Sequence, residues 1–573
     1  MEPKKASTPI TRRRLLKQIT MAGGAAALHQ TLFAGGIPAL ATQIRQLRLP
    51  KADTAREVVI LGAGVAGLTA AYQLLNSGTG YKCTVLEANP IVGGRSLTLR
   101  PNDVLREEGK PEQVCSFQEE AGETYEPYLN AGPGRIPSAH VHLLSYCKEL
   151  NVDLEVYIME SCSNLVTPPR SGGHSEINRQ VANDTRGWIA QHLYKLAGST
   201  GLDTEHQDLL RSLLKKFGQL GNDGIYADVQ GNYAASGPPR SGYQTLPGID
   251  DGKPVVPLSL DQLLDSEFWN STGFYQPLDF LWQPTMFQPV GGMDMIVKAF
   301  QAWIEQHPEG KIVKQAEVTR IDKQGEKFSI SYRKDNRIET QQFDRCLSNI
   351  PIPLLQDRLN LEIFSRTFRD SLQAVFDTSD FLAPTCKVGW QAERNLWQEP
   401  SQEPSKERVV PIYGGISWTN HPMTQIWYPS DQIHARLGVL TGAYNFSANA
   451  IEWGRLEPAQ RLARARVGAA ELGGSDFAGG LGQGITIAWQ NMRFQKGGWA
   501  QWQNVDQGTQ VYNQLLPGDN DFYIIGDQLS VLAGWQEGAV VSALHAIQQM
   551  ADPSYEAPPI LAAPDSRLLV EGV

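Results

Sequence analysis

The sequence predicts an α/β fold organised around a Rossmann-like dinucleotide-binding domain. Three observations carry that prediction. Residues 57–86 read strand, glycine turn, helix, strand, and the second strand ends in an acid, Glu87. Near the C-terminus the chain returns to an apolar strand that closes on Gly526-Asp527, then opens a helix after Gly534. At 573 residues it is also far too long for one core, so two or three intertwined domains are expected. With 41% apolar and 20% charged residues the composition is that of a folded globular protein.

The first element lies outside that fold. Thr11-Arg12-Arg13-Arg14-Leu15-Leu16-Lys17, a mildly apolar stretch from Ile19 to Leu40, and Ala39-Leu40-Ala41 look like a twin-arginine export signal with its cleavage site. Residues 1–41 are read as that signal, and the protein as periplasmic or secreted; a basic tail of no special use is the bland alternative. The segment holds six basic residues and one acid, so the rest of the chain carries a net −15 rather than the −10 of the whole. An acidic chain without a basic stripe is a poor partner for nucleic acid or an anionic membrane. After the signal no apolar run is long enough to span a bilayer. The six cysteines (83, 115, 147, 162, 346 and 386) show no CxxC spacing, and no histidine motif suggests a metal. Cys83 and Cys346 lie in strand-like runs and read as core fillers.

The glycine turn is Gly62-Ala63-Gly64-Val65-Ala66-Gly67, between the strand Glu57 to Leu61 and a helical pattern over Leu68 to Leu75. Gly62 permits the tight turn, Gly64 lets backbone approach a pyrophosphate, and Gly67 lets helix pack on sheet. The helix N-terminus supplies free N–H groups and a positive dipole end. Glu87 stands where a ribose hydroxyl would donate to a carboxylate. Ala88 follows, then Gly93-Gly94-Arg95, where glycines allow close passage of a phosphate and a guanidinium can neutralise it.

Further along, a helical pattern spans Ser138 to Leu150 with Ser138 as N-cap. Residues 176–270 alternate helical and Gly/Pro-rich segments, and Leu209, Leu210, Leu213, Leu214 and Phe217 form a stripe at helical spacing that reads as core. Gly291-Gly292 opens a helix from Met295 to Glu305. A hairpin (Val313 to Ile321, Lys327 to Arg333) and a strand from Asp344 to Ile350 follow, then a strand-rich region with aromatic clusters.

Several separated blocks (57–97, 124–137, 287–294, 383–388, 440–446 and 522–544) together resemble the flavin amine oxidases, and among them the FAD-dependent L-amino acid oxidases. The resemblance implies an FAD-binding Rossmann-like (GR2-type) domain, an α+β substrate domain and a helical insertion. Residues 55–140, 285–350 and 515–553 would form the FAD domain. Residues 141–284 would be a mainly helical insertion, 351–514 the substrate domain and 554–573 a tail.

The resemblance also assigns roles. Gly132, Pro133 and Gly134 would lie along the flavin, and Arg135 would grip a substrate α-carboxylate with Tyr444. Lys387 would hold a water against flavin N5, unless it is a strand-edge lysine facing solvent. Val318 would meet the adenine through its backbone. Gly526 and Asp527 would contact the ribityl and pyrophosphate, Gly534 would accept from the substrate amine, and Trp535 and Gln536 would adjoin the ring. Trp499 replaces a smaller side chain of many relatives. The C-terminal cysteine that anchors flavin covalently in mitochondrial monoamine oxidases is missing between Gly526 and Gln536, so FAD is expected to be non-covalent.

What the resemblance implies is oxidative deamination of an L-amino acid by hydride transfer from Cα to FAD N5, with oxygen as the second substrate. The products would be a 2-oxo acid, ammonia and hydrogen peroxide. An amine or polyamine oxidase and an L-amino acid 2-monooxygenase remain open as alternatives, as does a homodimer.

Overall fold

The computed structural model describes residues 56–76, 80–120, 126–270, 280–399, 410–552, 554–555 and 558–564. The export signal expected at 1–41 lies outside them, as does the end of the tail.

A five-stranded parallel sheet forms the first layer. Its spatial order is Gly310–Val313, Tyr81–Leu86, Arg56–Leu61, Arg345–Ser348, Phe522–Ile524. Numbered along the chain these strands run 3-2-1-4-5, the doubly wound order that reverses beside the first strand and leaves a crevice at its carboxyl end. Val58 to Leu61 are wholly buried, as a central strand covered on both faces requires. The helices Val65–Asn76, Met295–Gln306 and Gln536–Ala551 cover one face. An antiparallel meander, Glu317–Gln324, Lys327–Lys334 and Arg337–Phe343, covers the other. Cys83 and Cys346 fill these cores, their thiols pushed up by burial.

The expected hairpin is thus divided differently. The run from Val313 to Ile321 breaks at Gln315, whose φ of +58° turns the chain between two sheets. The third meander strand, RIETQQF, is mostly exposed and gave no apolar signal.

The second layer is a seven-stranded sheet in the order Leu481–Ala488, Thr385–Ala392, Gly438–Phe446, Gln425–Trp427, Ile416–Thr419, Leu165–Thr167, Glu176–Ile177. Two of its strands come from the 141–284 segment expected to be mainly helical, and a third strand there, Leu154–Ile158, pairs with Thr285–Pro289. Such two- to five-residue strands are too short to show a period. The segment's long helices are Asn178–Leu196 and Thr204–Gly218. The leucine stripe on the latter is not core: Leu214 is buried and Leu210 partly so, but Leu209, Leu213 and Phe217 are exposed.

The helix expected from Ser138 begins at Val141 and has no cap of its own, because the Ser138 hydroxyl donates to Gln283 Oε1 at 2.7 Å. The cap comes from the far end of the chain. Glu537 accepts the N–H groups of His142 (3.1 Å) and Leu143 (2.8 Å), so its carboxylate sits on the positive end of the helix.

Candidate active site

The crevice at the carboxyl edge of the parallel sheet deepens into one long cavity. Its empty space, the open solvent at its mouth included, is about 1310 Å³.

Its first end is lined by Glu87, Ala88, Asn89, Val318 and Arg358. Glu87 is 5% exposed and ties the glycine turn to the second strand, accepting from Ala63 N–H at 2.8 Å and Asn89 N–H at 2.7 Å. Burial pushes its carboxyl up, against the lowering effect of those bonds.

The middle is lined by Gly62, Gly64, Ala66, Gly94, Arg95, Asn349 and Asp527. Gly62 has φ +98°, and a Cβ on Gly67 would collide with the Gly62 carbonyl, so the turn and the helix contact both require glycine. The Arg95 fork is held by both oxygens of Asp527 and by Gly498 O at 2.5 Å. Asp527 also accepts Gly534 N–H at 3.0 Å, so one carboxylate positions Arg95 and the loop at the far end.

The far end is lined by Gly132, Pro133, Thr385, Tyr444, Trp489, Trp499, Gly534, Trp535 and Gln536. Gln536 Nε2 donates to Ser96 Oγ at 2.8 Å. Tyr444 packs edge-on against Trp427 (5.0 Å) and Phe446 (4.4 Å), and Trp535 packs edge-on against His140 (4.9 Å).

Two cations stand behind this wall. The Arg135 guanidinium lies 4.4 Å from the ring of Trp282 and 4.3 Å from that of Trp427. It is 7% exposed and its Nε has no partner among the described residues. Burial pushes it below its ordinary range, partly offset by Tyr157 and Tyr444 beside it; no carboxylate contributes. Lys387, in the all-buried strand Thr385–Ala392, is 1% exposed, which removes the solvent-facing alternative. Its Nζ donates to Asn130 O (3.0 Å) and Gly132 O (2.5 Å) and lies over Trp427 and Tyr444. Burial first, then Arg135, hold its ammonium well below the usual lysine range.

Of the residues singled out from sequence, Ala63, Gly67, Gly134, Arg135, Lys387 and Gly526 are not on the cavity surface. Gly134 backs Trp427, where an added Cβ would stand 3.0 Å from the ring. Asn349, Arg358, Thr385 and Trp489 line the cavity without having been singled out, and Tyr157, Trp282 and Trp427 around Arg135 were equally unforeseen. Asn349 alone had a signal, standing just past a strand of the parallel sheet where such folds bind ligands.

A doubly wound sheet with a glycine-lined dinucleotide cradle, meeting a second domain over an aromatic chamber, defines a nucleotide-cofactor oxidoreductase. Residues 244–551 match the family model for flavin containing amine oxidoreductases, and residues 60–119 match that for NAD(P)-binding Rossmann-like domains. The chain belongs to the flavin containing amine oxidoreductase family. It is similar to Bacillus subtilis (strain 168) YobN, provisionally named an L-amino-acid oxidase, at 22% identity over 85% of this chain and 93% of that one. It is similar to the flavin-dependent L-tryptophan oxidase RebO of Lentzea aerocolonigenes at 23% identity over 86% and 97%. Among solved structures, wild-type putrescine oxidase bound to putrescine superposes with a TM-score of 0.52 at 16% identity, covering 87% of this chain and 98% of that one, which establishes a shared fold.

FAD is the cofactor of this family, and the cavity suits it. Glu87, the glycine turn with Arg95, and Gly132, Pro133 and Trp535 all line this one cavity, and would hold the ribose, the pyrophosphate and the ring of FAD respectively. When bound, FAD takes two electrons from the substrate and passes them to oxygen. The chain is therefore an FAD-dependent oxidoreductase of the flavin amine oxidase type. Among the described residues no helix is long and apolar enough to cross a membrane.

Proposed function

We propose that this chain is an L-amino acid oxidase, converting an L-amino acid and oxygen into a 2-oxo acid, ammonia and hydrogen peroxide. The observation that carries the reading is Arg135: a buried guanidinium between two indoles, with no carboxylate to neutralise it among the described residues. Burying an unpaired charge costs several kcal/mol unless a counter-charge arrives. A substrate α-carboxylate is that counter-charge, and a guanidinium fork matches it bidentately. An amine or polyamine would meet a second cation instead.

In this reading the wall side chains shift as substrate enters, so that Arg135, which lies just behind them, and the Tyr444 hydroxyl fix the carboxylate, and the Gly534 carbonyl accepts from the neutral amine. Trp499, Trp535 and Phe446 exclude water and leave an apolar, aromatic space for the side chain. Lys387, pinned by two carbonyls and biased toward its neutral form, keeps a lone pair or N–H for a water between strand and cofactor. Rate would come mainly from this positioning. The L-tryptophan oxidase among the similar proteins supports an aromatic side-chain preference.

The test is peroxide formation with the common L-amino acids and with amines that differ from them only by loss of the carboxylate, with oxo acids and amides quantified. Turnover confined to the amines would overturn the proposal, and amide as main product would point to monooxygenation.

A further inference from the structure

A second cavity lies against the first. Its empty space, the open solvent at its mouth included, is about 460 Å³. Pro429 and Asp431 line it, are part-exposed and lead into the exposed residues Gln432, Ile433 and His434, which puts the mouth there. The wall between the two cavities is one chain thick. Leu129, Asn130 and Gly134 line the second cavity, while Ala131, Gly132 and Pro133, which stand between them in sequence, line the first. An aromatic pair is divided in the same way: Trp427 lines the second cavity, Tyr444 the first, and their rings meet edge-on at 5.0 Å. Lys387 is built into this wall. Its Nζ donates to Asn130 O at 3.0 Å on one side and to Gly132 O at 2.5 Å on the other, and lies 4.5 Å from the Trp427 ring.

We propose that oxygen reaches Lys387 and the reduced flavin through this second cavity, and that peroxide leaves by it. The inference rests on oxygen being the electron acceptor of the reaction proposed above. FAD and an amino acid would fill the first cavity, so a route behind Lys387 lets oxygen arrive while the oxidised product is still in place. The lining selects for small neutral molecules. Leu129, Tyr157, Trp427 and Val439 present apolar and aromatic surface, and no lysine, arginine or histidine lines the cavity among the described residues. A substrate carboxylate would be desolvated there without a counter-charge, past the acid Asp431 at the mouth. Oxygen carries no charge and gives up no hydrogen bond on entering. It takes two electrons and a proton from the reduced flavin anion and one more proton from solvent. Hydrogen peroxide, the product, is small and neutral enough to return the same way.

The experiment reduces the FAD-loaded chain with light, in the absence of any substrate, and mixes it with oxygen in a stopped-flow instrument. Thr441→Phe and, separately, Val439→Phe fill the second cavity from one strand. Each slows reoxidation about 10-fold or more, while the flavin absorbance and the rate of anaerobic reduction by an L-amino acid stay as in wild type. Thr441→Ala, which removes the hydroxyl but leaves the space open, keeps the wild-type rate. In the Lys387→Met background, where the chemistry and not access is slow, Thr441→Phe adds little. Unchanged reoxidation in both filled variants, an equal loss in Thr441→Ala, or a Thr441→Phe loss that multiplies that of Lys387→Met would each overturn the proposal. Slowed reduction by substrate with normal reoxidation would overturn it too, and would make this cavity the entrance of the amino acid. A wild type whose photoreduced flavin ignores oxygen would defeat the oxidase reading together with the passage, whereas every other failure leaves that reading standing.

Discussion

Replacing Arg135 by Met should separate substrate recognition from stability. Methionine fills much of the slot between Trp282 and Trp427 but removes the charge. Losing one partner of a desolvated, bidentate ion pair costs about 2–5 kcal/mol, which is about 30- to several-thousand-fold in kcat/KM for an L-amino acid. The free protein should lose nothing comparable. In the absence of substrate the guanidinium has two indole contacts, each contributing about 1–2 kcal/mol. Against them stands a burial penalty of several kcal/mol for an unpaired cation. The melting temperature should stay level or rise, which is how a group kept for binding rather than for folding behaves.

The assay is oxygen-electrode kinetics on an L-amino acid and on the amine with the same side chain, alongside FAD content and thermal unfolding. The amine should lose far less than the amino acid, because it never used the guanidinium. Arg135→Lys should recover only part of the loss, since an ammonium lacks the planar fork. Equal losses on both substrates, or a melting temperature that collapses, would mean that Arg135 supports the fold or the flavin, and the amine-oxidase reading would become the better one.

Lys387→Met should slow reoxidation of reduced flavin by oxygen far more than anaerobic reduction by substrate, measured separately by stopped flow; equal effects on both would leave Lys387 a packing residue. His140, buried against Trp535, is pushed down to about 4 by burial, with Glu537 opposing and His142 adding to the shift. The folded state therefore holds it neutral where the unfolded chain takes up a proton. Its contribution is intact above pH 6.5 and falls by about 3 kcal/mol as the pH drops toward about 4, a slope that denaturant titrations should find flattened in His140→Phe. FAD should stay in the supernatant when the yellow protein is precipitated with acid, whereas flavin in the washed pellet would show a covalent bond.

What sequence made legible here is what lies close along the chain. The glycine turn, the helix after it and Glu87 form one contiguous unit in which each residue type has a local physical reason, and four of the five parallel strands read as strands; Gly310–Val313 does not, because it runs on into the residues expected as a hairpin. Periodicity went wrong where it was asked which face is covered. The spacing of Leu209, Leu213 and Phe217 reports an amphipathic helix, but the seam formed one residue over, at Leu210, Leu214 and Gly218, and left the richer stripe outside.

The substrate end was legible only in its charged residues. Arg135 and Lys387 were assigned roles through family likeness, yet what gives them those properties is distant in sequence. Trp282 and Trp427 lie 4.4 and 4.3 Å from the Arg135 guanidinium, and Lys387 is held by carbonyls of Asn130 and Gly132, more than 250 residues away. The cap on the helix after Arg135 comes from Glu537, 395 residues from His142. That same glutamate opens the helix following Trp535, so one carboxylate joins the arginine's segment to the aromatic wall of the cavity. No local pattern encodes such a contact. It arises because three separated segments must close one parallel sheet, and closing it brings the two ends of the chain to the same crevice.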